Sequence, residues 1–353
     1  MHLCIISRWN ASCGISLHAE LIGREFIQRG FKLHALAPTI ESANVDWHHR
    51  ILDVDDEEWV IRCYEESSSG YGYIDKRVFE RINCDILIIE LYNRLPYRSL
   101  SHLIDKLDSK VVVVVHSTRK EELIPLNYIR YDAIVVFDER YINELLKDTY
   151  YDKIGSKTYI IPYPCVEPIN VEPYKPSFAK GKVLFFSFGR QPYNEYAEYI
   201  EALRRLRSKY DLVYWIIRSD GLIPGVKDEW VIQWRMRPSL TTLYRYLKAS
   251  DIHLVPKSKT KRVVVSSTIY QTLASFVPIV TPDTRYVETI PTNNDGIGPI
   301  VKYKDIKDLI NKLEQLINDE ELRRYIIGKA REFLETCKVS KIVERFIDLF
   351  KTI

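Results

Sequence analysis

Short apolar runs rich in β-branched residues recur along this chain, and between them apolar residues return every three or four positions. The first pattern marks buried strands, and the second marks one face of a helix. In the first half, residues 3–6, 32–37, 85–89, 111–115, 133–137 and 159–161 read as strands. Helical patterns at 15–28 (ended by Gly30), 97–107 and 140–146 fall between some of them. Residues 111–115 are an unbroken run of valine. A strand without a polar face is buried on both sides, as happens inside a parallel sheet. The run at 65–73, with Ser67, Ser68, Ser69, Gly70 and Gly72, breaks the rhythm and reads as a mobile surface loop.

The punctuation then changes. Pro162, Pro164, Pro168, Pro173 and Pro176 crowd into one short stretch near the middle of the chain. Prolines at that density extend the backbone, as in a linker. Beyond them, 183–188, 212–217, 230–233, 252–255 and 278–281 read as strands, with helical patterns at 195–206, 239–248 and 266–276. Helices at 304–317, 320–332 and 339–350 close the chain, the last with Val339, Ile342, Val343, Phe346, Ile347 and Phe350 on one face. The reading is an α/β fold of two Rossmann-like, doubly wound domains. They span 1–162 and 181–335, joined by a Pro-rich linker at 163–180 and followed by a helical segment at 336–353. Open parallel sheets bind ligands beyond the carboxyl ends of their strands. A central cleft faced by two sets of such ends is therefore expected.

Composition adds little that is specific. A length of 353 residues suits two domains, and 46% apolar residues can fill two cores. The net charge of +3 predicts no general nucleic-acid footprint. No apolar run reaches the length of a membrane span and no charged, cleavable leader opens the chain, so a cytoplasmic protein is expected. Peripheral membrane contact stays open, although no basic amphipathic stripe argues for it. The two methionines, with abundant Ile, Tyr, Lys and Glu, point to a thermophile. The six cysteines show no metal-like spacing, and most read as small buried hydrophobes; in a thermophile a cytosolic disulfide also stays open.

Chemistry concentrates at the strand ends. His116 follows the valine run, where an imidazole can serve as base, donor or charge stabiliser. Gly14 stands at a strand-to-helix turn, where backbone N–H groups can approach an anion. Gly189-Arg190 ends the first strand of the second half, and Arg offers a fork suited to a diphosphate. Lys257, Lys259, Lys261 and Arg262 follow another strand, and Ser266, Ser267 and Thr268 then open a helix. Cations beside a helix N-terminus form a phosphate cradle in sequence terms. No acidic metal motif appears in these segments, so neither a metal nor another cofactor is expected.

With these residues in place, the chain resembles the GT-B glycosyltransferases, specifically the retaining family 4-like group that uses nucleotide sugars. The resemblance rests on Cys13-Gly14-Ile15 with Ala19-Glu20-Leu21, on 113–118 ending in the histidine region, on 183–190 with its arginine, and on 271–280 with Ala274, Pro278 and Val280. It departs where the family has two glutamates, which here are Val263 and Gln271, and Phe276 replaces a family glycine. The resemblance implies an acceptor-side first domain, a nucleotide-sugar-binding second domain and a last helix crossing back to the first. It implies a hexosyltransferase-like enzyme, retaining and metal-independent, with His116 catalytic. Gly14, Arg190, Lys257, Lys261, Arg262, Ser266, Ser267 and Thr268 would hold the donor diphosphate, and Gln271, Met236 and Arg237 the ribose and base. The acceptor, whether glycan, lipid, protein or small molecule, is left open. The competing readings are a non-catalytic relative that binds a nucleotide sugar or a partner, and a GT-B sugar-nucleotide epimerase.

Overall fold

The structure is a computed structural model describing residues 1–45, 50–147 and 155–353. The chain divides into two compact units. Unit 1 comprises Met1–Pro164, Arg262–Val265 and Val339–Ile353, and unit 2 comprises Cys165–Lys261 and Ser266–Lys338.

Unit 1 is built on strands β1 (His2–Ile6), β2 (Lys32–Pro38), β3 (Val60–Tyr64), β4 (Ile86–Leu91), β5 (Lys110–Val115), β6 (Ala133–Val136) and β7 (Thr158–Ile160). They form one parallel sheet in the order β3-β2-β1-β4-β5-β6-β7. Helices α1 (Gly14–Gln28), α2 (Ile40–Ala43), α3 (Lys76–Arg81) and α4 (Tyr97–Ile104) belong to it. The valines of β5 are fully buried, as an apolar run in a central parallel strand should be. The strand order reverses between β1 and β4. That reversal is the switch point, where the diverging connections leave a crevice beyond the carboxyl ends.

Three differences from the sequence pattern have physical causes. Strand β3 is an edge strand with only its last residues buried, so no continuous apolar run announces it. Strand β4 runs past residue 89 to Leu91 and carries Glu90 into the interior, fully buried. Residues 65–73 do not form the free surface loop expected. The Glu65 N–H donates to the Tyr73 carbonyl at 2.9 Å, the Ser67 N–H to Arg94 at 2.9 Å, and Glu66 is buried. A further helical pattern, at 140–146, is one turn of π-helix over Tyr141–Leu146.

Unit 2 repeats the plan. Strands β8 (Val183–Gly189), β9 (Leu212–Arg218), β10 (Val231–Arg235), β11 (Ile252–Leu254), β12 (Ile279–Pro282) and β13 (Val301–Tyr303) lie parallel in the order β10-β9-β8-β11-β12-β13. The switch point falls between β8 and β11. Helices α5 (Asn194–Leu206), α6 (Leu240–Ala249), α7 (Ser267–Thr272), α8 (Ile306–Asn318) and α9 (Glu320–Cys337) complete it. Buried tyrosines pack this core without leaving their hydroxyls unpaired. The Tyr199 hydroxyl donates to the Val255 carbonyl at 3.1 Å, and the Tyr214 hydroxyl meets Ser187 Oγ at 2.7 Å.

The proline-rich stretch is laid along unit 2, through Val166 N–H to the Tyr270 carbonyl at 3.1 Å and Tyr174 N–H to Arg245 at 2.9 Å. Helix α9 runs five residues beyond the sequence pattern and brings Cys337 into a disulfide with Cys165, Cα to Cα 5.2 Å. The reading of buried free thiols fits Cys4, Cys63 and Cys84, not this pair. The last helix, α10 (Val339–Phe350), belongs to unit 1. Its buried face is Val339, Ile342, Val343, Phe346, Leu349 and Phe350; Leu349 takes the inward place expected of Ile347. Phe346 and Phe350 pack on Phe26 of α1, ring centroids 6.4 and 5.8 Å away. No helix among the described residues is long and apolar enough to cross a membrane.

Phe276 ends the turn after α7 at φ +57°, the left-handed region that suits glycine. The Arg331 guanidinium lies 4.1 Å from its ring centroid. Phe276→Gly and Phe276→Ala both delete the ring, but only glycine relieves the backbone strain. The glycine variant is expected to be more stable than the alanine variant by about 1–2 kcal/mol. Denaturation midpoints of the two compare them directly, and equal values would show that the backbone is not strained.

Candidate functional site

The two switch points are described one at a time. In unit 1, β1 leads into the loop 7–13 and then into α1. Asn10 takes φ +52°, held by its N–H to Glu20 Oε1 at 3.0 Å and its side-chain amide to Asp56 at 3.0 Å. Cys13 caps α1, its sulfur accepting from the Ser16 N–H at 3.5 Å. Gly14 is the first residue of α1, and its carbonyl accepts from the Tyr163 hydroxyl at 2.6 Å.

His116 follows β5, and most of its ring lies inside the unit, with the side chain 7% exposed. Its Nε2–H donates to Glu90 Oε2, while the other carboxylate oxygen accepts from His18 Nδ1–H at 2.8 Å. Glu90 and His18 are fully buried. Burial alone would raise the Glu90 carboxyl; the two imidazoles outweigh it and hold the group down at about 2. Burial lowers His116, with the Glu90 charge opposing. Phe137 packs on both imidazoles, its centroid 5.4 Å from His18 and 5.0 Å from His116, and Phe346 of α10 closes on His18 at 6.3 Å. The carboxylate thus fixes the His116 tautomer and leaves Nδ1 as the ring atom able to address a substrate. The three groups offer ligand atoms within 4.8 Å of one another. A metal there would have to displace both imidazole protons that now hold the carboxylate, so the arrangement reads as a hydrogen-bond network.

A second buried carboxylate lies at the same sheet edge. Glu66 binds the Arg8 guanidinium through both oxygens and receives Arg94 Nη1 at 3.2 Å. Two guanidinium groups thus share one buried carboxylate at the end of β1.

In unit 2, Gly189 ends β8 at φ +132°, and a Cβ there would sit 2.5 Å from the Gln191 side chain. The glycine is therefore required for the turn that presents Arg190. Lys257 follows β11 across the switch point. Packing around its ammonium pushes Lys257 down to about 8; Glu195 opposes this and the Arg190 charge adds to it. The Arg190 and Lys257 charges thus influence one another at the position where such sheets bind anions. Arg218 ends β9 and is buried. It donates to the Gly221 carbonyl at 2.8 Å and the Gln191 carbonyl at 3.1 Å, so it shapes the loop after Arg190.

The remaining expected residues scatter. Lys259 and Lys261 are exposed. Arg262 is exposed and belongs to unit 1, as does buried Val263, whose N–H reaches the Thr118 carbonyl at 3.3 Å. The Ser266 hydroxyl is already committed. It is buried, its Oγ caps Ile269 N–H at 3.4 Å, and its own N–H donates to Tyr286 at 3.1 Å. Ser267 and Thr268 open a helix of only six residues, with limited dipole to offer. Gln271 lies half-buried on α7, its carbonyl bonded to the Tyr244 hydroxyl at 2.9 Å. Met236 follows β10, bonds the Arg218 carbonyl through its N–H at 3.0 Å, and lines a groove of about 630 Å³ with Gly221, Leu222 and Trp234. Arg237 is exposed.

Sequence reasoning missed Glu90, His18 and Arg218. Glu90 had a signal, a carboxylate inside the apolar run 86–91, because a buried glutamate is nearly always paired. Arg218 closes an apolar strand just as Arg190 does. His18 had none, since one histidine on a helical face is ordinary.

No family model matches the chain. Solved structures do resemble it. A glycosyltransferase from Rickettsia africae superposes with a TM-score of 0.69 at 15% identity, covering 99% of this chain and 98% of that one. Anabaena HepE, in complex with UDP-glucose, gives 0.67 at 11% identity over 100% of both chains. An α-glucosyltransferase in complex with UDP and a 13-mer DNA gives 0.65 at 16% identity over 99% of both. At such identities the likeness shows the fold, two Rossmann-like domains of the GT-B class.

Proposed function

We propose that this chain is a glycosyltransferase that moves a sugar from a nucleoside-diphosphate-sugar donor to an acceptor. The observation that carries the reading is the pair Arg190 and Lys257, whose charges influence one another at the switch point of unit 2. Two cations at neighbouring strand ends can bind the charge of a diphosphate. The same groups would stabilise the leaving diphosphate as the glycosidic bond breaks, so no metal is invoked for that step. Met236 and its groove would take the base, Gln271 the ribose, and His116 of unit 1 would serve the transfer. The finer reading is a retaining, hexosyltransferase-like member of the family 4-like group, with Val263 and Gln271 at its two glutamate positions.

Because the similar structures include complexes with UDP and UDP-glucose, UDP is the first nucleotide to test. Arg190→Ala is expected to weaken UDP binding by roughly ten- to a hundred-fold, the loss of a charge-assisted hydrogen bond of ~1.5–3 kcal/mol. Calorimetry measures it, and unchanged affinity removes Arg190 from the site. A second reading is a relative that binds the nucleotide sugar without transferring it. Buried Val263 favours it, because an apolar side chain there supplies no carboxylate. Donor turnover with an acceptor panel separates the two. A DNA duplex belongs in that panel, since one similar structure is a DNA complex.

A further inference from the structure

A cluster of metal-ligating groups lies at the other end of the unit 1 sheet, away from the strand ends that carry His116. His2 and Cys4 share one face of β1, and His34 is the register partner of Cys4 on β2. One ligand atom from each of the three lies within 4.8 Å of the others. His2 Nε2 and His34 Nδ1 are 2.8 Å apart. Cys84, just before β4, is a buried free cysteine whose thiol interacts electrostatically with that of Cys4. Residues eighty positions apart share this point only because β1 lies between β2 and β4, so sequence spacing gives no hint of it.

We propose that His2, Cys4 and His34 form a structural site for a zinc-class divalent cation. Two imidazoles and a thiol are nitrogen and sulfur donors that such ions favour, and a water would complete the tetrahedron. The surrounding bonds are those of a metal site. His2 donates Nδ1–H to the Asn83 carbonyl at 2.6 Å, which leaves Nε2 aimed at the cluster. Metal-bound histidines are oriented in this way by a carbonyl on the second nitrogen. Ser109 Oγ lies 3.4 Å from Cys84 Sγ and donates to the Cys84 carbonyl at 2.6 Å, fixing that turn. Asn83 and Ser109 also line a cavity of about 990 Å³, so the outer partners border open space. Binding moves the His34 proton from Nδ1 to Nε2 and releases the Cys4 thiol proton to solvent, leaving two neutral imidazoles and one thiolate on the ion. The site joins β1 to β2 and takes no part in sugar transfer.

The test uses the full, untagged, reduced chain after chelator treatment. Zinc is expected to bind at one ion per chain and to raise the melting temperature. Cobalt(II) is expected to give thiolate-to-metal charge transfer together with tetrahedral d–d bands. Cys4→Ser and His34→Ala should each weaken zinc binding by at least about tenfold, while His116→Ala, which alters the sulfur-free cluster, should leave the cobalt spectrum intact. If a ligand variant fails to fold, X-ray absorption of the zinc-loaded wild type decides. Sulfur at about 2.3 Å with nitrogen at about 2.0 Å supports the site. A shell of nitrogen and oxygen only, or no retained metal, overturns it. A Cys4–Cys84 disulfide formed in place of metal uptake by the reduced chain also overturns it.

Discussion

His116→Ala is expected to lower sugar transfer by about 10²–10⁴ while leaving UDP affinity and folding nearly unchanged. The ring has little freedom: Nε2–H is committed to Glu90, and the aromatic packing of Phe137 fixes its plane. Only Nδ1 remains to accept or position a proton on substrate. The cations proposed for the diphosphate belong to unit 2, so nucleotide binding should survive. Glu90→Gln tests the positioning role separately. Without the carboxylate charge the His116 ring protonates less readily. The acid limb of the turnover profile, where a neutral His116 is needed, should then move to lower pH. Thermal unfolding and turnover measured on one preparation decide the matter. A variant that is destabilised but fully active per folded molecule would leave His116 a structural residue.

The second large effect concerns stability. His253 lies on β11 in the centre of the unit 2 sheet, fully buried, with neither ring nitrogen hydrogen-bonded. Phe186 and Phe188 flank it at 6.0 and 5.9 Å. Burial pushes the imidazole down to about 3. The unfolded chain binds this proton near pH 6.5, and the folded chain does not until far lower pH. Stability from this residue is therefore intact above pH 6.5 and falls as the pH drops toward 3, by about 1.4 kcal/mol per pH unit. His253→Leu removes both the titration and the unsatisfied nitrogens. It is expected to stabilise the protein by roughly 1–3 kcal/mol at neutral pH, with a gap that widens in acid. Denaturant unfolding at a series of pH values measures the gap, and a gap independent of pH would refute the argument.

The histidines show where sequence reading reaches and where it stops. His116 was legible because it follows five valines, and a buried strand end is a recognisable place. His253 also stands in an apolar strand, Ile252–Leu254, yet nothing in its neighbours reveals that it lacks partners. That depends on what the adjacent strands and helices present. Arg190 and Lys257 were legible as cations closing strands, but Lys259, Lys261 and Arg262 looked equally good in the same loop. The path of that loop, drawing Lys257 in and leaving the others out, separates them.

The alternation of β-branched runs with three- and four-residue periodicity determined the two α/β units, most strand positions and the inward face of the last helix. These are local properties, because burial on both faces or on one stripe is written into consecutive residues. Only the tertiary structure decided which residues from distant segments share a point. Glu90 between His18 and His116, Glu66 between Arg8 and Arg94, Cys165 with Cys337, and His2 with Cys4 and His34 are brought together by the tertiary structure. The crossing of β1 between β2 and β4 places residues eighty positions apart side by side, and no periodicity along the chain encodes that crossing.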